Sequence, residues 1–235
     1  MRQIFRQFWP HIVCTIVALA LWDTPFVKPF RVFTVQVHEM WHAAAALTTG
    51  GDVTEIRTHW NESGYTSSRG GSVPIISSAG YVGSAFLGAF LIYAGSWALF
   101  QRLLLAGIGT VSIWMAVRYT PLWGLDFGFA ILSGAALLAV AGWSRRVSEA
   151  GAIWVGVMLC LYSLYDFRTD LWMIPERTDA GILARHWGLP FLAYPIAFVW
   201  AAVSIFAMYR ALRSAYRRRA ASDVSETRPK PPESS

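Results

Sequence analysis

From Gly71 to Val117 the only ionisable side chain other than tyrosine is Arg102. A helix needs about 20 mostly apolar residues to cross the hydrocarbon core of a bilayer, so this stretch has room for two spans. Similar runs recur along the chain, giving candidate membrane segments at 9–22, 30–49, 73–99, 101–118, 121–143, 150–166 and 188–209. A spanning helix satisfies its own backbone polar groups in lipid, so the expected fold class is an all-α polytopic membrane protein of six or seven transmembrane helices. Arg2 and Arg6 precede the first run, and Arg210, Arg213, Arg217, Arg218 and Arg219 follow the last. The positive-inside bias then puts both termini in the cytoplasm of a cell membrane, which requires an even number of spans. One segment must therefore be re-entrant or interfacial, either the short first run or 121–143, which contains Asp126. The first run also has the build of a cleavable signal, but the rest of the chain is itself membrane-embedded, which favours a retained helix.

Only 14% of the residues are charged, against about 25% in a soluble domain. The formal charge of +6 comes from residues that flank apolar runs, so it reads as a topology signal rather than a nucleic-acid footprint. Trp22, Trp97, Trp143 and Tyr209 stand near run ends, where an interfacial aromatic belt is expected, while Trp114 and Trp154 read as packing residues. Cys14 and Cys160 lie inside apolar runs and read as buried thiols.

The domain reading is an N-terminal helix and connector over 1–30, one membrane core over 31–210, and a cytoplasmic tail over 211–235. That tail is first basic and then, from Ala221 on, polar, Pro-containing and aromatic-free, so disorder is expected there. Residues 52–70 are the one substantial polar stretch of the first half. Val53 to Trp60 alternates like a half-buried strand, and Asn61-Glu62-Ser63-Gly64 reads as a turn leading to Tyr65 and Thr66, which together make a small β-hairpin. In the run that follows, Gly80, Ser84 and Gly88 recur every four residues, a spacing that lets helix backbones approach closely.

His38-Glu39-Met40-Trp41-His42 lies inside the apolar run Phe33 to Leu47. Residues four apart share a helix face, so both imidazoles can reach one metal ion with Glu39 beside them. Zinc accepts imidazole nitrogen, its catalytic sites use three protein ligands with one position open, and an adjacent carboxylate can take the proton of the water it acidifies. Two histidines and a glutamate inside a membrane helix are costly unless they face partners, which marks them as functional rather than as mere helix cement.

The stretch Val37-His38-Glu39-Met40-Trp41-His42-Ala43 through Leu47-Thr48-Thr49-Gly50-Gly51-Asp52-Val53 resembles the metal helix and Thr-Gly-Gly turn of the site-2 protease-like intramembrane zinc metalloproteases, in particular the small branch without a PDZ domain. Ser78-Ala79-Gly80-Tyr81-Val82-Gly83-Ser84 is similar to that family's glycine-rich second core helix. The resemblance covers most of the chain from Arg31 onward and implies a third ligand, an aspartate from a later segment. Four aspartates compete. Asp179, in Pro175-Glu176-Arg177-Thr178-Asp179-Ala180-Gly181, looks most like the branch's pattern, and its rival role is a helix N-cap. Asp166 is the alternative ligand, Asp126 has local similarity in the wrong surroundings, and Asp170 reads as solvated. His11, His59 and His186 have no partner at ligand spacing and read as interfacial polar residues. The chain departs from the family at Trp41, where a small residue is usual and something opposite must make room for an indole, and in lacking an intact Leu-Asp-Gly motif.

The expected function is that of a zinc metalloendopeptidase. His38, His42 and Asp179 would hold Zn2+, Glu39 would act as the base, and a transmembrane protein or peptide substrate would be hydrolysed within or near the lipid bilayer. A helical substrate must first unwind, and the hairpin at 53–66 could pair with it as an added strand, a role the resemblance also implies. The rival readings are a catalytically silent zinc-binding scaffold or regulator and, ranked last, a metal-ion transporter, which would need polar residues spread over several helices.

Overall fold

Each apolar run folds as a helix, because in a chain with so few backbone partners outside itself the helix is the conformation that closes every internal hydrogen bond. The computed structural model describes the backbone of residues 2–94, 97–173 and 178–226 and the side chains of 9–94, 97–165, 178–215 and Arg217. In chain order the elements are α1 (Arg2–Ala20), α2 (Lys28–Thr48), β1 (Asp52–Thr58), β2 (Gly64–Arg69), α3 (Val73–Tyr93), α4 (Ala98–Tyr119), α5 (Leu125–Gly142), α6 (Arg145–Met173), α7 (Asp179–His186) and α8 (Ala193–Glu226). Among the described residues five helical stretches are long and apolar enough to cross a membrane: Val73–Tyr93, Ala98–Tyr119, Leu125–Gly142, Arg145–Tyr165 and Pro190–Ala215. The polytopic, helical fold class therefore holds, with the small antiparallel sheet as its one β element among the described residues.

The candidate odd segments separate clearly. Leu125–Gly142 is a full-length apolar helix with Asp126 confined to its first turn, whereas the apolar part of α1 covers only Trp9–Ala20. α2 does not qualify by composition, since Lys28, Arg31, His38, Glu39 and His42 interrupt it. It is instead the central helix, with α3, α6 and both strands packed around it, so protein surrounds its polar side chains. The largest apolar cluster joins Phe33 and Val37 of α2 to Leu91 of α3, Leu105 and Ile108 of α4, Leu137 of α5 and Leu159 of α6. A buried polar bridge adds to it: Gln36 donates to Ser112 of α4 at 2.5 Å and accepts from Ser133 of α5 at 3.2 Å.

Some positional expectations need correcting. Trp22 is buried against Tyr162 and Tyr165 of α6 rather than standing in a belt, whereas Trp97, Trp143 and Tyr209 are exposed as expected. Trp154 packs edge-on against Phe30, but Trp114 is half exposed and faces outward. His11 is buried in the protein, and Cys14 is only half-buried while Cys160 is buried. α8 continues through Glu226, so the first residues of the supposedly disordered tail are helical; residues 227–235 lie outside the described ones.

Two local stops place the hairpin against α2. α2 ends in a Schellman turn: Gly51 N–H reaches back to Ala46 O at 2.8 Å, and Gly50 takes a φ of 82°, a left-handed conformation that a Cβ would disfavour. The Thr49 hydroxyl then accepts from Ser72 N–H at 3.0 Å, which pins the start of α3 to the end of α2 and closes the hairpin's stem. β1 and β2 pair antiparallel, with Ile56 opposite Thr66 and Thr58 opposite Gly64. A bulge between Val53 and Glu55 resets the alternation, so Val53 and Ile56, three apart in sequence, both enter the cluster around Met40, Ala43 and Met115. At the tip Glu62 has a φ of 68°, and its carboxylate is tied to Arg31 of α2 at 3.1 Å.

Candidate metal centre

The i, i+4 spacing of His38 and His42 does what helix geometry dictates, setting the two rings on one face with centroids 4.6 Å apart. Asp179 comes to them from the first turn of α7. Its Oδ2 lies 3.0 Å from His38 Nε2 and 3.1 Å from His42 Nε2, and the three candidate ligand atoms all fall within 4.8 Å of one another. The rival role of Asp179 is filled by its neighbour. Thr178 is the N-cap of α7, its hydroxyl accepting from Gly181 N–H at 3.0 Å, so the Asp179 carboxylate is free to face the histidines.

The second nitrogen of His42 fixes the ring. Nδ1 donates to Ile76 O, a backbone carbonyl in the first turn of α3, at 2.6 Å, which leaves the Nε2 lone pair directed at the cluster. His38 is held by packing: the Tyr81 ring meets it edge-on at 4.8 Å, and Trp200 of α8 stacks behind Tyr81 at 6.0 Å. Gly80 supplies the floor. A Cβ built there would overlap the Nε2 atoms of both His38 and His42, so only glycine leaves the two imidazoles their place. Gly88, two turns on, faces Cys160 and Gly156 of α6 instead, so the small-residue stripe serves two neighbours and only its first member bears on the site. The room that Trp41 demands comes from Gly83, where a Cβ would press into the indole.

Glu39 is 5% exposed and points to the hairpin side of α2. Thr66 Oγ1 donates to its Oε2 at 2.8 Å, and a Cβ on Gly64 would stand 2.8 Å from its Oε1. Asp126 is elsewhere: its Oδ2 accepts from Arg57 Nε at 2.5 Å, anchoring β1 to α5. Asp166 and Asp170 sit on α6, and their side chains lie outside the described residues. His59 and His186 are exposed and apart from the cluster. Thr66, Thr178 and the Ile76 carbonyl support the site without belonging to the His-Glu-x-x-His motif. Thr178 carries a capping signal in its type; the other two carry none that precedes knowing how the hairpin and α3 pack.

Two imidazole nitrogens and one carboxylate oxygen converging from two elements could hold a metal ion, and they match in kind the donors of open three-ligand zinc sites; the glycine floor leaves the two rings their place. Gly80→Ala should therefore lower zinc affinity by about 10- to 100-fold, the range seen when groups supporting a metal's ligands are altered. Equilibrium dialysis against a zinc indicator, with circular dichroism to verify helix content, checks this; unchanged affinity would mean that the floor is not needed. A family model described as Peptidase M50B-like matches residues 11–211. No curated protein and no solved structure matches the chain.

Proposed function

The chain belongs to the Peptidase M50B-like family, of the site-2 protease type, and from that premise we propose that it is a zinc-dependent intramembrane protease that hydrolyses peptide bonds of membrane-embedded protein substrates. The observation that carries this reading is the convergence of His38, His42 and Asp179 on one point. On this reading the three side chains hold zinc through His38 Nε2, His42 Nε2 and an Asp179 carboxylate oxygen. Zinc bound there supplies a Lewis acid that polarises a peptide carbonyl and acidifies water.

The remaining work falls to the protein. Glu39 takes a proton from the attacking water on a carboxylate oxygen and returns it to the amide nitrogen as the peptide bond breaks, so the proton count closes within one turnover. The Ile76 carbonyl keeps His42 in the tautomer that offers Nε2. The bundle around α2 buries Glu39 and His42, and low exposure strengthens the charge interactions between them. The far edge of β2 suits an unwound substrate strand, because β1 is backed by α4 and by the Arg57–Asp126 pair. Both termini face the cytoplasm on the same reading, given the arginines at each end.

The decisive experiment is turnover of a reporter transmembrane peptide by the purified protein in detergent or proteoliposomes. Cleavage that a chelator stops and added zinc restores is the expected result. Stoichiometric zinc binding with no cleavage of any membrane peptide would point instead to a silent zinc-holding scaffold.

A further inference from the structure

The two histidines of the site are held from α3, whereas the side chain that holds Glu39 comes from the hairpin. Thr66 Oγ1 lies 2.8 Å from Glu39 Oε2 and 3.0 Å from the Glu39 backbone carbonyl. A hydroxyl has one proton to give; the shorter contact directs it to the carboxylate, with the main-chain carbonyl of the same residue sharing it, and this ties the side chain's torsions to the helix. Strand register aims it there. Thr66 stands opposite Ile56, directly paired residues share a sheet face, and Ile56 is buried against α2, so the Thr66 side chain must meet α2 as well. Gly64, two positions back on the same face, has no side chain to hold the strand away.

We propose that Thr66 is a positioning residue, its hydroxyl orienting the Glu39 carboxylate for proton transfer and thereby making the base dependent on the seating of β2. This rests on the protease reading above and adds a residue to it. Among the described residues β2 pairs with no strand but β1, and it is the strand that holds the base, so a substrate strand added to its other edge would act on the element that aligns the base.

The test compares Thr66→Val, which keeps size and strand preference without the hydroxyl, with Thr66→Ser, which restores it. In Thr66→Val, zinc content should remain equimolar and KM should stay within about twofold, while kcat falls by about 10- to 100-fold, the scale of a displaced reacting group. Thr66→Ser should recover most of the lost kcat. A second readout needs no turnover: the fall in melting temperature caused by Thr66→Val should be smaller in a Glu39→Ala background, as coupled partners require. Wild-type kcat in Thr66→Val, failure of Thr66→Ser to rescue, or additive melting shifts would overturn the inference while leaving the protease reading intact. A complete lack of turnover in the unsubstituted protein overturns the protease reading itself.

Discussion

Glu39→Gln should reduce turnover of a reporter transmembrane peptide by about 10²- to 10⁴-fold, the usual contribution of a general base, while zinc stoichiometry stays as in the unsubstituted protein. The substitution is nearly isosteric, and it sits where volume matters, with the Gly64 backbone close on one side and the Thr66 hydroxyl on the other. The glutamine side-chain oxygen can still accept from Thr66, so β2 should remain seated against α2. What disappears is the capacity to take a proton, because an amide oxygen is too weakly basic to deprotonate water at neutral pH. The three groups proposed as ligands are untouched, since Glu39 is not among the side chains that converge with Asp179. Zinc analysis by atomic emission alongside the cleavage assay separates the two functions. Retained cleavage would remove Glu39 from the mechanism; joint loss of zinc and activity would make it a structural group of the site.

How much of this is legible in the sequence depends on whether an interaction is local. The seven apolar runs became helices, and the His38–His42 pair shares a face, because both follow from backbone periodicity within one segment. The hairpin was visible from its alternation and its turn, yet the bulge near Thr54 was not, so the sequence could not say that Ile56 and Thr66 face α2. The number of spans stayed open because α2 is polar by composition, and only packing reveals that other elements enclose those polar groups. Trp41 announced a steric demand, and Gly83 is the answer, on another helix. The choice among aspartates was the hardest, since Asp179 meets His38 across 141 residues of chain and its neighbour Thr178 has the same capping aptitude. Two adjacent capping residues offer two ways to start α7, and the one adopted leaves the carboxylate facing the imidazoles.

That choice yields the second large expectation. Asp179→Ala should leave two imidazoles facing each other with no anionic donor, and zinc affinity should fall by more than about 100-fold, beyond the range for supporting groups. Turnover should vanish with it. This pattern differs in kind from Glu39→Gln, where metal stays and chemistry goes. Asp179→Asn keeps the shape and the cap geometry of α7 but offers a neutral amide oxygen, a poorer donor for a divalent cation, so its affinity should fall between wild type and Asp179→Ala. Asp126→Ala serves as the contrasting removal of a buried carboxylate: it breaks the pair with Arg57 and loosens β1 from α5, yet zinc should still bind equimolarly. Isothermal titration with zinc on wild type, these three variants and Asp166→Ala, each first stripped with chelator, reads the series directly. Should Asp179→Ala hold zinc as tightly as wild type while Asp166→Ala loses it, the third donor would belong to α6. The carboxylate of α7 would then do no more than stand beside the two rings.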